Sequence, residues 1–168
     1  LYEKYVKLEK NLTIKTFFKK TNLKTIKKLR KFNLIKNQSF IEFPKQGLEE
    51  LDLITDTIKR LNGGLLLIDY GFLKQKGADT LQSVKNHKRN MLFNNVGNAD
   101  ITSLVNFNLL KVYFKKKKLT TNNIVTQEFF LKKMGIIDRA EILSKKMNFQ
   151  EKSEIYYSLQ RLLSPKQM

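Results

Sequence analysis

The 168-residue sequence has no cysteine, no tryptophan, two prolines and one histidine. Because cysteine is absent, the chain forms no disulfide and offers no thiolate, which excludes cysteine nucleophiles and favours a reducing compartment. The lone histidine, His87, excludes a metal site built from several histidines of this chain. No apolar run reaches about 18 residues, so the sequence predicts no membrane-spanning helix. The length is sufficient for one domain with a hydrophobic core.

Acidic residues are also scarce, with 15 against 33 basic ones, for a formal net charge of +18. Such a charge favours nucleic acid or an anionic surface as a partner. However, the chain has 28 lysines, 5 arginines, 15 asparagines and 3 alanines, which is typical of an AT-rich coding sequence. Arginine, the preferred residue for bidentate phosphate and base contacts, is therefore rare. We interpret most of the charge as solvated surface. The alternative is a non-catalytic basic module for RNA or an acidic protein partner, with Lys24–Lys31 and Lys115–Lys118 as its surface.

The longest apolar run, Leu65–Ile68, lies between the turn residues 62–64 and Gly71. It is too short for a typical helix, and a continuous apolar run between glycines indicates a strand buried on both faces of a parallel sheet. Before it, apolar residues recur at spacings of three and four, which predicts a helix that starts after Pro44 and ends before Gly63. These residues are Leu48, Leu51, Ile54, Ile58 and Leu61.

Asp69 directly follows the predicted strand. In open α/β sheets, ligands bind beyond the carboxyl ends of the strands. The sequence therefore predicts that Asp69, Tyr70 and Gly71 lie at a ligand-binding rim. The alternative is that Asp69 only caps the following loop.

The flanking regions carry weaker patterns. Alternating apolar and charged residues predict a two-stranded antiparallel segment over residues 2–18, with Leu12 in its second half. Threefold apolar spacing predicts a basic helix over residues 21–32, capped by Thr21 or Asn22. The remaining predictions are a short strand or extended lead at 40–43, a helix over 109–118, a strand over 120–126, and helices over 127–134, 139–146 and 151–163, the last ended by Pro165.

Residues 72–98 are long and weakly periodic, which is typical of a functional loop or lid. Within them, Asp79 is either the cap of a short helix over residues 80–84 or a group beside a substrate. His87 is either a hydrogen-bonded structural residue or a base. After a turn cluster, residues 99–107 are expected to lead into a strand.

Four stretches carry a family resemblance, and they occur in the family's order. They are Gly63–Gly71, Asp79–Val84 with His87, Gly97–Thr102 with Asn106 and Phe107, and Thr126-Gln127 with Phe130, Leu131, Gly135 and Ile136. Together they resemble the MidA family of class I S-adenosylmethionine-dependent methyltransferases, which includes the mitochondrial complex I assembly methyltransferase. The resemblance covers about residues 40–168.

The sequence departs from the family pattern in three places. It lacks the glycine-rich turn, roughly Glu-Leu-Gly-Pro-Gly-Arg-Gly, at which the family binds its cofactor. It lacks the family's last strand, and Asn106 stands where the family has Asp. The resemblance therefore implies the C-terminal part of a Rossmann-like class I methyltransferase sheet, an α/β fold with flanking helices and a small antiparallel segment. We expect one partial domain over residues 1–168, without the cofactor-binding half and the last strand.

The resemblance also implies a function, namely methyl transfer from S-adenosylmethionine to a protein arginine, linked to respiratory complex I assembly. The isolated chain is expected to be inactive, because the missing half would hold most of the cofactor. The implied partner is a protein substrate such as a complex I subunit, without specific nucleic acid. The implied compartment is a bacterial cytoplasm or the mitochondrial matrix. The candidate catalytic residues are Asp69, Tyr70, Asp79 and Asp100, and the candidate substrate-binding residues are Gly71, Thr80, His87, Thr102 and Gln127. We further expect the three aspartates to converge at one rim of the sheet.

Overall fold

The computed structural model describes residues 1–11, 13–35, 39–74 and 77–164. Leu12 and Pro165, which entered the sequence predictions, lie outside these described residues. The chain divides into two compact units, residues 1–120 and 121–168, and each unit is described by itself. The single domain expected over the whole sequence stays a prediction.

The first unit mixes short strands with three helices over its described residues. The elements are β1 Tyr2–Leu8, β2 Ile14–Lys20, α1 Leu23–Lys31, α2 Lys45–Leu61, β3 Gly71–Phe72, β4 Gln82–Lys85, β5 Lys88–Asn90, β6 Asp100–Thr102, β7 Val105–Asn106 and α3 Phe107–Lys116. The strands form an antiparallel pair β1–β2, a parallel pair β3–β7, and an antiparallel sheet in the order β5-β4-β6. The mixed α/β character is confirmed, whereas these small sheets do not make up a Rossmann-like sheet.

The helices begin and end where local chemistry favours it. Asn22 caps α1, and its side-chain oxygen accepts a hydrogen bond from the Thr25 amide at 2.8 Å. Helix α2 begins after Pro44 and ends at Asn62, which takes the left-handed conformation (φ 51°). The predicted helix over residues 45–61 is confirmed. Its left-handed terminating residue is Asn62 rather than Gly63, since asparagine tolerates this conformation.

The hydrophobic core of the first unit lies between α1, the segment after it, and α3. Leu29, Leu34 and Leu109 are buried there and belong to one cluster. Four partly buried apolar side chains pack against this cluster: Phe32, Ile35, Ile41 and Phe43. Residues 40–44 form no strand and run as the extended lead into α2.

The predicted buried strand over Leu65–Ile68 is wrong. Residues 63–69 have no regular secondary structure, and the four apolar side chains are 41–65% exposed. The strand pairing that follows the run, between β3 and β7, is two residues long. A strand of a parallel sheet needs neighbours at its edges and cover on both faces, and the described residues supply neither to this run.

The predicted loop or lid over residues 72–98 contains a β-hairpin. Strands β4 and β5 pair in antiparallel register, and β6 pairs with the other edge of β4. The hairpin turn is Asn86-His87, with φ of 50° and 60°. Positive φ at both central residues is the type I′ geometry that matches the twist of a hairpin. The short helix expected over residues 80–84 is therefore wrong, because most of these residues belong to β4.

The second unit consists of three helices over its described residues: α4 Gln127–Lys133, α5 Ile136–Ser144 and α6 Phe149–Leu163. Between α4 and α5 the chain turns through Gly135 at φ 80°, which closes α4 as predicted. Asn148 and Glu151 form a reciprocal capping box at the start of α6. The strand predicted over residues 120–126 does not form. None of the described helices is long and apolar enough to cross a membrane.

Candidate functional site

The candidate site is built around the backbone at Leu104 and Val105. The Val105 amide donates a hydrogen bond to the carbonyl of Tyr70 at 2.9 Å. Gly71 then pairs with Val105 in the parallel β3–β7 ladder. The Asp69-Tyr70-Gly71 motif, which the sequence placed at a strand end, therefore lies against the segment that enters α3.

Gly71 has a steric reason to be glycine. A β-carbon added at this position would lie 2.6 Å from the ring of Phe107 and closer still to the carbonyl oxygen of Val105. The chain's own atoms thus fill the space at Gly71. The structure assigns this glycine to close backbone packing, and its role in substrate binding stays a prediction.

Thr80 connects two distant segments at the same place. Its amide donates to Glu42 Oε1 at 2.8 Å, and its hydroxyl lies 2.9 and 2.8 Å from the two carboxylate oxygens of Glu42. The same hydroxyl accepts a hydrogen bond from the Leu104 amide at 3.0 Å. One threonine therefore joins the lead into α2, the loop before β4 and the segment before β7.

Asp79, the residue before Thr80, keeps part of its carboxylate accessible. Its Oδ1 accepts from the Leu81 amide at 3.1 Å, and its Oδ2 lies 3.6 Å from the ammonium of Lys4 on β1. The Asp79 side chain is 40% exposed. An exposed carboxylate held by a turn of its own backbone is able to accept hydrogen bonds from a cationic ligand.

The other two aspartates have different surroundings. Asp69 is exposed, and its Oδ1 accepts from the Tyr70 amide at 2.7 Å. Asp100 is exposed on β6, opposite Val84, toward the turn end of β4 and away from Asp79. Tyr70 and Thr80, the sequence neighbours of Asp69 and Asp79, contact the Leu104–Val105 segment, whereas the β4–β6 register places Asp100 toward the other end of β4. The convergence of the three aspartates at one rim stays a prediction.

The remaining candidate residues are spread over the chain. The Thr102 hydroxyl accepts from the side-chain amide of Gln82 at 3.1 Å, at the end of β4 nearest Thr80. His87 is exposed in the hairpin turn at the opposite end of β4. Gln127 lies in the second unit, where its side-chain amide donates to the Leu162 carbonyl at 2.9 Å. The contacts at Leu104 and Val105 accordingly bring together Tyr70, Gly71 and Thr80. Asp69, Asp79 and Thr102 are close to this group in sequence, and their roles in a site stay predictions.

The sequence patterns do not indicate Glu42 as a site residue. It lies 38 residues before Thr80, and its sequence neighbourhood indicated only an extended lead into a helix. Its carboxylate is partly buried and has no Lys or Arg nitrogen within 4 Å among the described residues. Local sequence patterns do not indicate this contact, because the spacing of residue types along the chain carries no information on which loops contact each other.

A second polar cluster joins α2 to α3 away from the site. Asp52 accepts a hydrogen bond from the buried Tyr113 hydroxyl at 2.5 Å and pairs with Lys117 at 2.7 Å. The hydrogen bonds from Lys117 and then Tyr113 hold the pKa of Asp52 below its ordinary value. Burial first, and the bond to Asp52 second, raise the pKa of Tyr113, while the bond to Asp52 raises the pKa of Lys117. This cluster is structural, since it fixes one helix against another.

Comparison with known proteins gives the site its context. A family model described as "Putative S-adenosyl-L-methionine-dependent methyltransferase" matches residues 2–125, well over half of the chain. The chain belongs to this family. The match includes every candidate site residue except Gln127.

Relatives from vertebrates agree with this assignment. The chain is 29% identical to the protein arginine methyltransferase NDUFAF7, mitochondrial, of Xenopus laevis over 116 residues, which is 68% of this chain and 26% of that protein. It is 30% identical to the Danio rerio protein of the same name over 106 residues, 63% of this chain and 25% of the relative. For the human protein the identity is 29% over 119 residues, 70% of this chain and 26% of the relative. The chain thus spans about a quarter of the length of these curated relatives.

The residues that the structure describes do not form a complete site for the family's cofactor. Their sequence has no glycine-rich turn, and the space at Gly71 is filled by Val105 and Phe107. The apolar run Leu65–Ile68, which would have to form a wall of the sheet, is open to solvent. No group of three or more His, Cys, Asp and Glu residues in the described part of the chain could hold a metal ion. Asp69 and Asp79 keep exposed carboxylates and Tyr70 an exposed ring, and groups of these types are able to contact a planar cation.

Proposed function

We propose that this chain forms the acceptor side of an S-adenosylmethionine-dependent protein arginine methyltransferase. The observation that carries the proposal is the exposed Asp79 carboxylate, which precedes Thr80; the Thr80 hydroxyl accepts from Leu104, whose neighbour Val105 donates to the Tyr70 carbonyl. The family supplies the reaction class, and the names of the relatives supply the arginine acceptor.

The residues of the site suit a guanidinium group. A carboxylate accepts paired hydrogen bonds from a guanidinium and compensates its positive charge. Such contacts orient the acceptor nitrogen, and orientation alone lowers the barrier of a two-substrate reaction. Tyr70, whose side chain is 60% exposed, offers a ring face on which a guanidinium can stack. Asp79 and Asp69 would hold the acceptor, and Asp100 would have a role outside this group.

The cofactor, as the family description implies, supplies the methyl group. In our proposal it is held mainly by polypeptide outside the described residues. The same polypeptide would provide the strands that flank Leu65–Ile68 and complete a class I sheet. The two units would then form parts of one methyltransferase domain. Burial of that exposed apolar run would be favourable at about 25 cal/mol per Å² of apolar surface.

The cellular context follows from the relatives by analogy. Their names place them in mitochondria, and the MidA resemblance links the reaction to respiratory complex I. We propose a protein substrate such as a complex I subunit, in the mitochondrial matrix or, for a bacterial source, in the cytoplasm.

The alternative of a basic binding module has less support. On the β1–β2 hairpin, the ammonium of Lys19 lies 5.2 Å from the ring centre of Tyr5 and 5.3 Å from that of Phe17. These rings also stack on each other, with centroids 5.7 Å apart. Aromatic faces engaged inside the chain are poor platforms for stacking nucleic-acid bases.

The test uses the protein in the form in which its cell makes it. It would be isolated with an antibody raised against residues 1–168, incubated with S-adenosylmethionine, and assayed by mass spectrometry for methylated arginine in added substrate peptides. We expect methylation of arginine peptides and none of the matched lysine peptides. A preparation that contains the chain and leaves the arginine peptides unmodified would refute the proposal.

Cofactor binding by the isolated chain gives a second test. Calorimetric titration of the 168-residue polypeptide with S-adenosylmethionine should produce no saturable heat, because the glycine-rich turn is absent. Micromolar affinity would show that these residues alone form the cofactor site.

A further inference from the structure

The most connected polar group at the site belongs to Glu42. Its carboxylate accepts hydrogen bonds from both the amide and the hydroxyl of Thr80. The oxygen of that hydroxyl in turn accepts a hydrogen bond from the amide of Leu104. The chain of hydrogen bonds thus runs from the lead into α2, through the loop before β4, to the backbone beside Tyr70. Each of these three segments is irregular, so regular secondary structure does not hold them together.

This connection bears on Asp79 through the backbone. Asp79 and Thr80 share a peptide group, and Glu42 fixes the nitrogen of that group. Among the residues that the structure describes, the Asp79 side chain bonds to the Leu81 amide within its own turn and otherwise forms only the exposed ion pair with Lys4. An exposed ion pair is worth little and does not hold a side chain in one geometry. The orientation of the Asp79 carboxylate therefore depends on the backbone that Glu42 anchors.

Both oxygens of the Glu42 carboxylate are engaged by hydrogen-bond donors of Thr80. Both of its oxygens lie within 2.9 Å of Thr80 donors, and the residue is partly buried. Hydrogen bonds to a charged acceptor are among the stronger ones in proteins, and a buried donor that loses its partner is costly. Such a group is suited to holding other residues in place.

We propose that Glu42 is a positioning residue for the acceptor site. Through Thr80 it sets the backbone that presents Asp79 and joins that backbone to Leu104, next to the Tyr70 carbonyl contact. The proposal rests on the acceptor function proposed above and adds a residue that acts through Thr80 without touching the substrate.

The test combines amide hydrogen exchange with binding of an arginine-containing peptide to the 168-residue chain. In Glu42→Ala, the Thr80 amide should exchange about tenfold faster, and the Leu104 amide should follow. Peptide affinity should fall at least fivefold, while exchange within α2 stays unchanged. Glu49→Ala is the matched control, because Glu49 is exposed on α2 and pairs with the exposed Lys28.

Two variants of Thr80 separate positioning from general stability. Thr80→Val keeps the side-chain shape but removes the hydroxyl that accepts from Leu104, and it should weaken peptide binding as Glu42→Ala does. Thr80→Ser restores the hydroxyl and should restore peptide affinity to within twofold of the parent.

Each outcome bears on a definite claim. Unchanged exchange at Thr80 in Glu42→Ala would overturn the proposal, because the contact would then hold nothing. Faster exchange with unchanged peptide affinity would also overturn it, since Glu42 would be structural only. If the parent chain discriminates no arginine peptide from its lysine counterpart, the acceptor function itself fails, and the positioning role fails with it.

Discussion

The buried hydroxyl of Tyr113 donates a hydrogen bond to the carboxylate of Asp52 at 2.5 Å, 61 residues away in sequence. Lys117, one helical turn after Tyr113, binds the same carboxylate. The pair therefore fixes α3 against α2, and α3 begins directly after the segment that carries Val105. No residue of this contact belongs to the candidate site.

Removal of the Tyr113 hydroxyl tests this contact. Tyr113→Phe should lower the free energy of unfolding by about 1–2 kcal/mol, because a hydrogen bond to a charged acceptor is lost while the ring remains packed. Urea unfolding followed by circular dichroism measures the change. Tyr2→Phe is the control, since Tyr2 is 71% exposed, and it should change stability by less than about 0.5 kcal/mol. Equal effects of the two variants would contradict the role assigned to the bond.

The charge of Asp52 predicts a pH dependence. The pKa of Asp52 is lower in the folded chain than in the unfolded chain, chiefly through Lys117 and then Tyr113. Its contribution to stability is therefore fully present above its unfolded pKa of about 4 and is lost as the pH falls through the folded pKa. Thermal unfolding between about pH 6 and pH 2 should show this loss, and Asp52→Asn should remove that part of it. Glu50→Gln, which removes an exposed carboxylate from the same helix, is the comparison. A parallel acid dependence in Asp52→Asn and the parent would argue against the coupling.

The close approach at Gly71 predicts a large steric effect. Gly71→Ala should destabilise the chain by about 3 kcal/mol, because the new β-carbon would collide with the Val105 carbonyl and the Phe107 ring. Gly64→Ala is a matched control, since nothing lies within 4 Å of its added β-carbon. Chemical denaturation should show the first change and leave the second within about 1 kcal/mol of the parent. A neutral Gly71→Ala would mean that β3 and β7 are not packed as described.

The sequence predicted the helices because their signals are local. Helix α2 follows from apolar residues at spacings of three and four, and α1 has an asparagine cap at one of the two positions expected. The β1–β2 hairpin follows from alternation, as its seven-residue antiparallel ladder confirms. Each of these patterns repeats within one element and needs no information about distant residues.

The predictions that failed depended on tertiary partners. The run Leu65–Ile68 has the composition of a buried strand, but a strand forms only where neighbours accept its backbone hydrogen bonds. The turn Asn86-His87 lacks the glycine that usually marks a type I′ hairpin, so the sequence predicts a loop where the hairpin lies. The link from Glu42 to Thr80 was likewise invisible, since it joins two irregular segments.

The net charge of +18 predicts how the chain would bind nucleic acid. Lysines spread over solvated faces release counterions without reading bases, so binding should be weak, insensitive to sequence and strongly reduced by salt. Fluorescence anisotropy with two unrelated RNA sequences at two salt concentrations measures all three properties. Within the basic segments 24–31 and 115–118, the ammonium of Lys28 is paired with Glu49 and that of Lys117 with Asp52. A sequence preference that persists at high salt would support a specific nucleic-acid site instead.

The role of Asp79 gives the sharpest prediction for the reaction. Asp79→Asn keeps a side-chain oxygen for the Leu81 amide and loses only the exposed pair with Lys4, so stability should change by less than about 1 kcal/mol. Arginine methylation by the protein isolated from its cell should nevertheless fall at least tenfold, about 1.4 kcal/mol of transition-state stabilisation, because the neutral amide no longer compensates the guanidinium charge. Asp56→Asn, an exposed carboxylate change on α2, should leave turnover within twofold. Lys4→Met provides the complementary control, since it breaks the ion pair and keeps the carboxylate. Normal turnover by Asp79→Asn would mean that the carboxylate acts only to fix its own turn and that the acceptor binds elsewhere. The same conclusion would follow if Lys4→Met lowered activity as much as Asp79→Asn does.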